Sequence, residues 1–194
     1  MQVTYLFGSG VETAAYASRV CVGTTEIGNH TYDENCDYLL RRINDHHESV
    51  LEHVVYSFEI KDITRALLQQ ISRHRHISLS VQSTRWALKR LEDEGLISFS
   101  IPTGLDGEDF NKFRNVASDG ISLALELSRK YGNDVGKYVL PECLNTMLVM
   151  TVNLRQLRHM YKLRTHSSAL EEFRDLMVAI VNTLPKRERE LVTA

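Results

Sequence analysis

Apolar and polar positions along this chain follow two periods, and the changes of period mark the elements. Val3 to Phe7 reads as a short strand. Val11 to Val20, with Ala14, Ala15 and Ala17, favours a helix. Gly23 to His30, carrying Gly23 and Gly28, reads as a loop. Asp33 to His46 sets Tyr38, Leu39 and Ile43 at helical spacing. Val54 to Ile60 alternates and is rich in β-branched and aromatic residues, which predicts a strand. Asp62 is placed to cap a helix running to about Ile71.

Ser72 to Arg85 has no clean period over its first half and is expected to be a loop entering a helix near Ser80 to Leu91. Leu96 to Ile101 reads as a strand and Pro102 to Gly107 as a turn-rich loop. The longest helical pattern runs from Glu108 to Lys130 and is closed by Gly132. Helices are also expected over Val135 to Val139, Cys143 to Tyr161 and Ser168 to Leu184, with Pro185 ending the last. No repeat or linker interrupts the pattern. The expectation is one α+β domain over residues 1–194, with more helix than strand.

Composition narrows the function classes. A length of 194 residues suits a single domain with a sizeable core. The hydrophobic share is 43% and the charged share 25%, ordinary for a soluble globular protein. A net charge of -2 provides no bulk field for nucleic acid or membrane, so an anionic ligand needs a local cluster of cations. Cys21, Cys36 and Cys143 are widely spaced and suggest reduced thiols in a cytoplasmic protein. No signal peptide or membrane-spanning apolar run is read.

Several site types are set aside. There is no phosphate loop, no HExxH and no GxSxG elbow. Gly8-Ser9-Gly10 begins like a dinucleotide fingerprint, but Thr13 stands where the third glycine belongs. Cys143 reads as a buried helix thiol rather than a nucleophile, and no metal site is expected.

The densest polar stretch is Arg73-His74-Arg75-His76-Ile77-Ser78-Leu79-Ser80-Val81-Gln82-Ser83-Thr84-Arg85. Guanidinium groups suit bidentate phosphate recognition, and hydroxyls add donors. An extended backbone sends Arg73 and Arg75 to opposite sides, so one cluster could serve two anionic ligands. Composition alone leaves a solvated basic loop equally open.

Arg73-His74-Arg75, seven further residues and then Ser83 resemble the signature of the flavin-dependent thymidylate synthases. Gln70 and Arg85 fit the same pattern. His47-Glu48-Ser49-Val50-Leu51-Glu52-His53 resembles the family's HExxxEH segment, and Lys137-Tyr138-Val139-Leu140-Pro141 its RxxLP element. Asn153-Leu154-Arg155, Leu163-Arg164 and Ala17-Ser18-Arg19-Val20 resemble its NxR, LR and ARV positions. The resemblance runs in order from about residue 14 to about 174.

The resemblance implies a central, mostly antiparallel sheet flanked by long helices, and a homotetramer with FAD and dUMP at shared interfaces. It implies methylation of dUMP to dTMP, with 5,10-methylenetetrahydrofolate as one-carbon donor and NADPH reloading the flavin. Gln70, Arg73, Gln82, Ser83, Thr84, Arg85 and Lys137 would bind the nucleotide. His47, Ser49, Arg73, His74, Arg75, Val81, Asn153, Arg155 and His159 would bind FAD. Arg164 would lie against the uracil and favour its anionic form, since an arginine stays charged and acts electrostatically. His53 would lie near the flavin or be a packed strand residue. Val81, Trp86, Lys137, His159 and Leu170 depart from the family's usual residues. Two other readings remain: a relative acting on another pyrimidine nucleotide, and a nucleic-acid-binding protein using the segment from Ser72 to Arg90. A metal hydrolase built on His46, His47, His53 or His74 lacks ligand spacing.

Overall fold

The computed structural model describes residues 1–24 and 30–194. Residues 25–29, most of the loop predicted from Gly23 to His30, lie outside the described residues. The elements are β1 (Gln2–Ser9), α1 (Val11–Cys21), α2 (Tyr32–Asn44), a 3-10 turn (Glu48–His53), β2 (Val55–Thr64) and α3 (Arg65–Ile71). There follow β3 (Ile77–Val81), α4 (Thr84–Asp93), α5 (Gly107–Tyr131), α6 (Asn133–Gly136) and a 3-10 turn (Lys137–Val139). The chain closes with β4 (Asn145–Asn153), α7 (Leu154–Arg164), α8 (Glu171–Thr183) and α9 (Lys186–Thr193). The antiparallel sheet has the order β1-β2-β4-β3, so the α+β class and its sheet agree with expectation. No helix among the described residues is long and apolar enough to cross a membrane.

Contacts divide the chain into two compact units. The first comprises Met1–Ile60, His74–Leu79 and Val149–Ala194; the second comprises Lys61–Arg73 and Ser80–Leu148. In the first, α8 packs on β1, α1 on α2 and the Glu48–His53 turn, and α7 on that turn, α8 and α9. Tyr56, Phe58, Leu157, Met160, Phe173 and Leu176 are fully buried there, and removal of their apolar surface from water is the main stabilising term. In the second, Leu88 of α4, Ile121 and Ala124 of α5, Leu140 and Leu144 form a separate cluster, joined by Ile97 and Phe99.

Two local features set the entry to the first unit. Gly10 has φ = 111°, and a side chain there would collide with the His53 carbonyl, so glycine lets α1 pack closely on the turn. The strand–glycine–helix junction is thus a packing device. Arg158 of α7 is 1% exposed and its guanidinium holds the end of α9. It donates to the Leu191 carbonyl, to the Val192 carbonyl at 3.4 Å, to the Ala194 carbonyl at 3.0 Å and to Glu48 Oε1 at 3.3 Å. A cation suits the negative end of the α9 dipole.

Several local expectations are corrected. The cap of α3 is Thr64, whose hydroxyl accepts from the Leu67 N–H at 3.0 Å; Asp62 lies inside β2 with φ = 56°. The supposed loop from Ser72 contains β3, and its helix begins at Thr84, not Ser80. Leu96 to Ile101 is no strand: it makes one isolated bridge, Phe99 with Leu144. The expected helix from Cys143 to Tyr161 is a strand followed by a helix. In β4, Thr146, Leu148, Met150 and Val152 turn inward alternately, and that two-residue period overrides the helix propensity of its Leu and Met. Cys143 is therefore half-buried ahead of β4, not within a helix. His53 is exposed at the end of its turn rather than packed in a strand. The chain also resumes as α9 after Pro185, which takes the position just before a helix.

Candidate functional site

Two polar hollows open in the first unit, of about 330 Å³ and about 560 Å³, with Glu52, His76 and Asn153 in the walls of both. Arg75, Ser78 and Thr151 complete the first; Arg155, His159 and Lys162 stand in the second. The junction of β4 and α7 explains this density of donors. Asn153 caps α7, its Oδ1 accepting from the Gln156 N–H at 2.8 Å, so its amide N–H groups take no part in the cap. Arg155 follows in the first turn and pairs with Glu52 at 2.5 Å. Both partners are half exposed, so the pair adds little to stability and its guanidinium is available for exchange.

Behind the hollows lies a tighter arrangement. His74, between the exposed Arg73 and Arg75, turns inward and is only 8% exposed. Its Nε2 accepts from Arg164 Nε–H at 3.1 Å, and the Gln156 carboxamide meets its Nδ1 at 3.3 Å. The Phe173 ring stands edge-on to the imidazole at 5.8 Å and carries the Arg164 guanidinium 4.8 Å above its centroid. Burial, then the Arg164 charge, then His159 push the His74 pKa down to about 4, so the ring is neutral near pH 7. A neutral acceptor thereby fixes a charged guanidinium.

The second unit carries its own cationic group at the start of α4. Ser83 occupies the N-cap position without a capping side-chain bond, and the first turn holds Arg85 and no acidic residue. A cation at the positive end of a helix is unfavourable unless an anion is meant to sit there. Arg85 Nε pairs with Asp134 Oδ1 at 3.1 Å, and Lys137 Nζ approaches the same oxygen at 3.5 Å. Asn133 Nδ2 donates to the Arg85 carbonyl at 2.8 Å and ties this turn to α6.

The description "Thymidylate synthase complementing protein" belongs to the family model that matches residues 6–187. The chain belongs to the flavin-dependent thymidylate synthase family. The flavin-dependent thymidylate synthase of Campylobacter jejuni is 36% identical, covering 97% of this chain and 94% of that protein. That of Helicobacter pylori is 32% identical, covering 98% of this chain and 97% of the other. A crystal structure of thymidylate synthase X from Helicobacter pylori with FAD and dUMP is similar over 100% of this chain and 98% of that one. Its TM-score is 0.86 and its identity 29%.

The flavin-dependent thymidylate synthase positions expected at a cofactor fall mainly in the first unit. Arg75, Asn153, Arg155 and His159 wall the hollows, His47 is exposed just before the 3-10 turn and Ser49 on it, and His74 is buried with both ring nitrogens engaged. Arg73 and Val81 belong to the second unit, both exposed. The positions expected at the nucleotide, Gln70, Arg73, Gln82, Ser83, Thr84, Arg85 and Lys137, all lie in the second unit, whereas Arg164 lies in the first. Of these, Arg85 and Lys137 converge on Asp134, and Gln70 is half-buried on α3.

Sequence reasoning missed Gln156, Phe173 and Asp134. Placing a helix cap at Asn153 would have marked Gln156, but the predicted helix from Cys143 hides that boundary. Asp134 precedes Lys137 by three residues, a spacing that could have marked it, but its other partner, Arg85, is distant in sequence; Phe173 carries no linear signal.

Proposed function

We propose that this chain catalyses the reductive methylation of dUMP to dTMP, with 5,10-methylenetetrahydrofolate as one-carbon donor and NADPH-reduced FAD as hydride source. The observation that carries this is Arg164, a charged guanidinium held by a neutral imidazole in a chain of this family. The Helicobacter pylori relative's structure contains FAD and dUMP, which supports the same ligands here.

The donor set fits a phosphate-bearing cofactor. Arg75, the Asn153 amide, Arg155, His159 and Lys162 place cationic and neutral donors around the hollows of the first unit. Within the first unit His47 and Ser49 belong to the same FAD-binding set; Arg73 and Val81, of the second unit, are assigned to the cofactor by the family motif alone. His74 belongs to that set through what it holds rather than through a free nitrogen. Arg85, Lys137, Ser83, Thr84 and the open amides at the start of α4 take the 5′-phosphate, with Arg73, Gln70 and Gln82 beside it. Phosphate replaces Asp134 as the partner of Arg85 and Lys137.

Uracil is a poor carbon nucleophile. Arg164 favours negative charge on the ring by the opposite-charge effect, and it cannot act as a base because it stays protonated. Bound FAD supplies the hydride transfer that side chains cannot perform. Cys36 and Cys143 are not required: burial pushes Cys36 up to about 11 and raises Cys143, so both remain protonated. Residues 1–194 act as one catalytic domain, assembled as a homotetramer in the cytoplasm, where these nucleotides are used.

An anaerobic reaction with FAD, NADPH, 5,10-methylenetetrahydrofolate and dUMP tests the proposal, with products separated by chromatography. The expected product is dTMP. Flavin bleaching by NADPH with dUMP recovered unchanged would refute it, and conversion of a different pyrimidine nucleotide alone would move the chain to another substrate.

A further inference from the structure

The geometry points to Gln156 and Phe173 as positioning residues that hold Arg164 in one orientation, Gln156 acting through His74 and Phe173 by carrying the guanidinium. This rests on the role of Arg164 proposed above.

A neutral imidazole has one N–H and one acceptor nitrogen. Arg164 can only donate, so the contact from its Nε at 3.1 Å requires His74 Nε2 to be the acceptor. The proton must then sit on Nδ1, and it must meet an acceptor there. Gln156 is the group at Nδ1: its amide nitrogen is placed 3.3 Å away, and because a half-turn exchanges the nitrogen and oxygen of a carboxamide, the amide turns its oxygen to accept that proton. With the amide nitrogen turned inward, two donors would face each other. Gln156 therefore selects the tautomer, and the tautomer selects the partner of Arg164.

The fold makes this connection short. Gln156 and Arg164 lie at opposite ends of α7, about 12 Å apart in helix rise, and the His74 ring bridges their side chains. Gln156 is itself fixed, because its backbone N–H is bonded by the Asn153 cap. Phe173 of α8 is fully buried and supplies the remaining restraint, a cation–π contact at 4.8 Å. Only Nε of Arg164 is engaged with His74, so the two terminal amino groups are left for the pyrimidine edge. The charged and titratable groups facing His74 are Arg164 and His159, both from α7, while α8 presents the Phe173 ring.

The test begins with the ligand-free chain. Nitrogen NMR of His74 should show the proton on Nδ1 and an unprotonated Nε2, and the Arg164 Nε–H should exchange slowly with solvent. In Gln156→Ala the tautomers should mix and that exchange should accelerate. With FAD and dUMP present, Gln156→Ala should lower kcat by roughly 10- to 100-fold, as misorientation does, with KM for dUMP changed by less than about threefold. Phe173→Leu should lower kcat in the same way while leaving the tautomer unchanged.

Gln156→Glu separates positioning from packing. Its carboxylate still accepts from Nδ1–H but raises the proton affinity of His74. Its kcat should approach wild type in alkaline solution and fall with an added acid limb, as Nε2 is protonated and lost as an acceptor. Gln156→Ala should stay low at every pH. A proton on Nε2 in the wild-type chain would overturn the proposal, as would a Gln156→Ala kcat within twofold of wild type. If the wild-type chain made no dTMP while His74 kept its Nδ1 proton, the assigned reaction would fall and the Gln156–His74 contact would stand.

Discussion

Mild acid should destabilise this chain through one side chain, His74. In the unfolded chain the imidazole takes up a proton near its ordinary value of 6.5, while in the fold burial and the adjacent Arg164 charge hold protonation off to about 4. Between those values the unfolded state binds more protons, so stability is complete above about pH 6.5 and is lost as pH falls towards 4. The full difference corresponds to roughly 3 kcal/mol at about 1.4 kcal/mol per unit. At pH 5 the ceiling is about 2 kcal/mol, and water reaching the edge of the ring reduces it to about 1–2 kcal/mol. Urea unfolding at pH 7.5 and pH 5 measures the loss, and His74→Gln isolates it, because an amide oxygen can still accept from Arg164 but does not titrate. Wild type should lose about 1–2 kcal/mol more than the variant. Equal losses in the two proteins would refute the buried, neutral imidazole.

Other perturbations have equally direct readings. Arg158→Met leaves the carbonyls at the end of α9 and the Glu48 carboxylate without their buried cation, and should cost about 3–5 kcal/mol in denaturant unfolding. Gly10→Ala forces a left-handed backbone and a collision with the His53 carbonyl; a loss of about 1–3 kcal/mol is expected in the same assay. Glu52→Gln should change stability by less than about 1 kcal/mol, because its pair with Arg155 is half exposed. Flavin titration should nevertheless find tighter FAD binding, since the carboxylate competes with phosphate for Arg155.

The elements legible in the sequence are those with a clear local signal. The pattern from Glu108 to Lys130 ends at Gly132, where α5 stops, and the alternation from Val54 to Ile60 marks the first part of β2, which runs on to Thr64. β3 and β4 were hidden for different reasons. β3 alternates Ile77, Leu79 and Val81 with Ser78 and Ser80, but five residues set between Arg73-His74-Arg75-His76 and Gln82-Ser83-Thr84-Arg85 give too short a period to stand out. β4 carries apolar residues on both of its faces, with Met147 and Val149 beside the buried Leu148 and Met150, so the alternation appears only once one face is buried. At the site, the linear motif located Arg75, Asn153 and Arg155 at the hollows. It assigned His74 a cofactor contact, whereas its environment is defined by Gln156, Arg164 and Phe173, residues that only the packing of α7 and α8 brings together.

In the proposed function Arg164 acts on the pyrimidine and not on the cofactor. A single-turnover experiment tests it: enzyme reduced beforehand is mixed anaerobically with dUMP and 5,10-methylenetetrahydrofolate, and dTMP is counted per flavin. Wild type should form dTMP, while Arg164→Ala should bind FAD comparably and form none. Comparable dTMP from the variant would contradict the account.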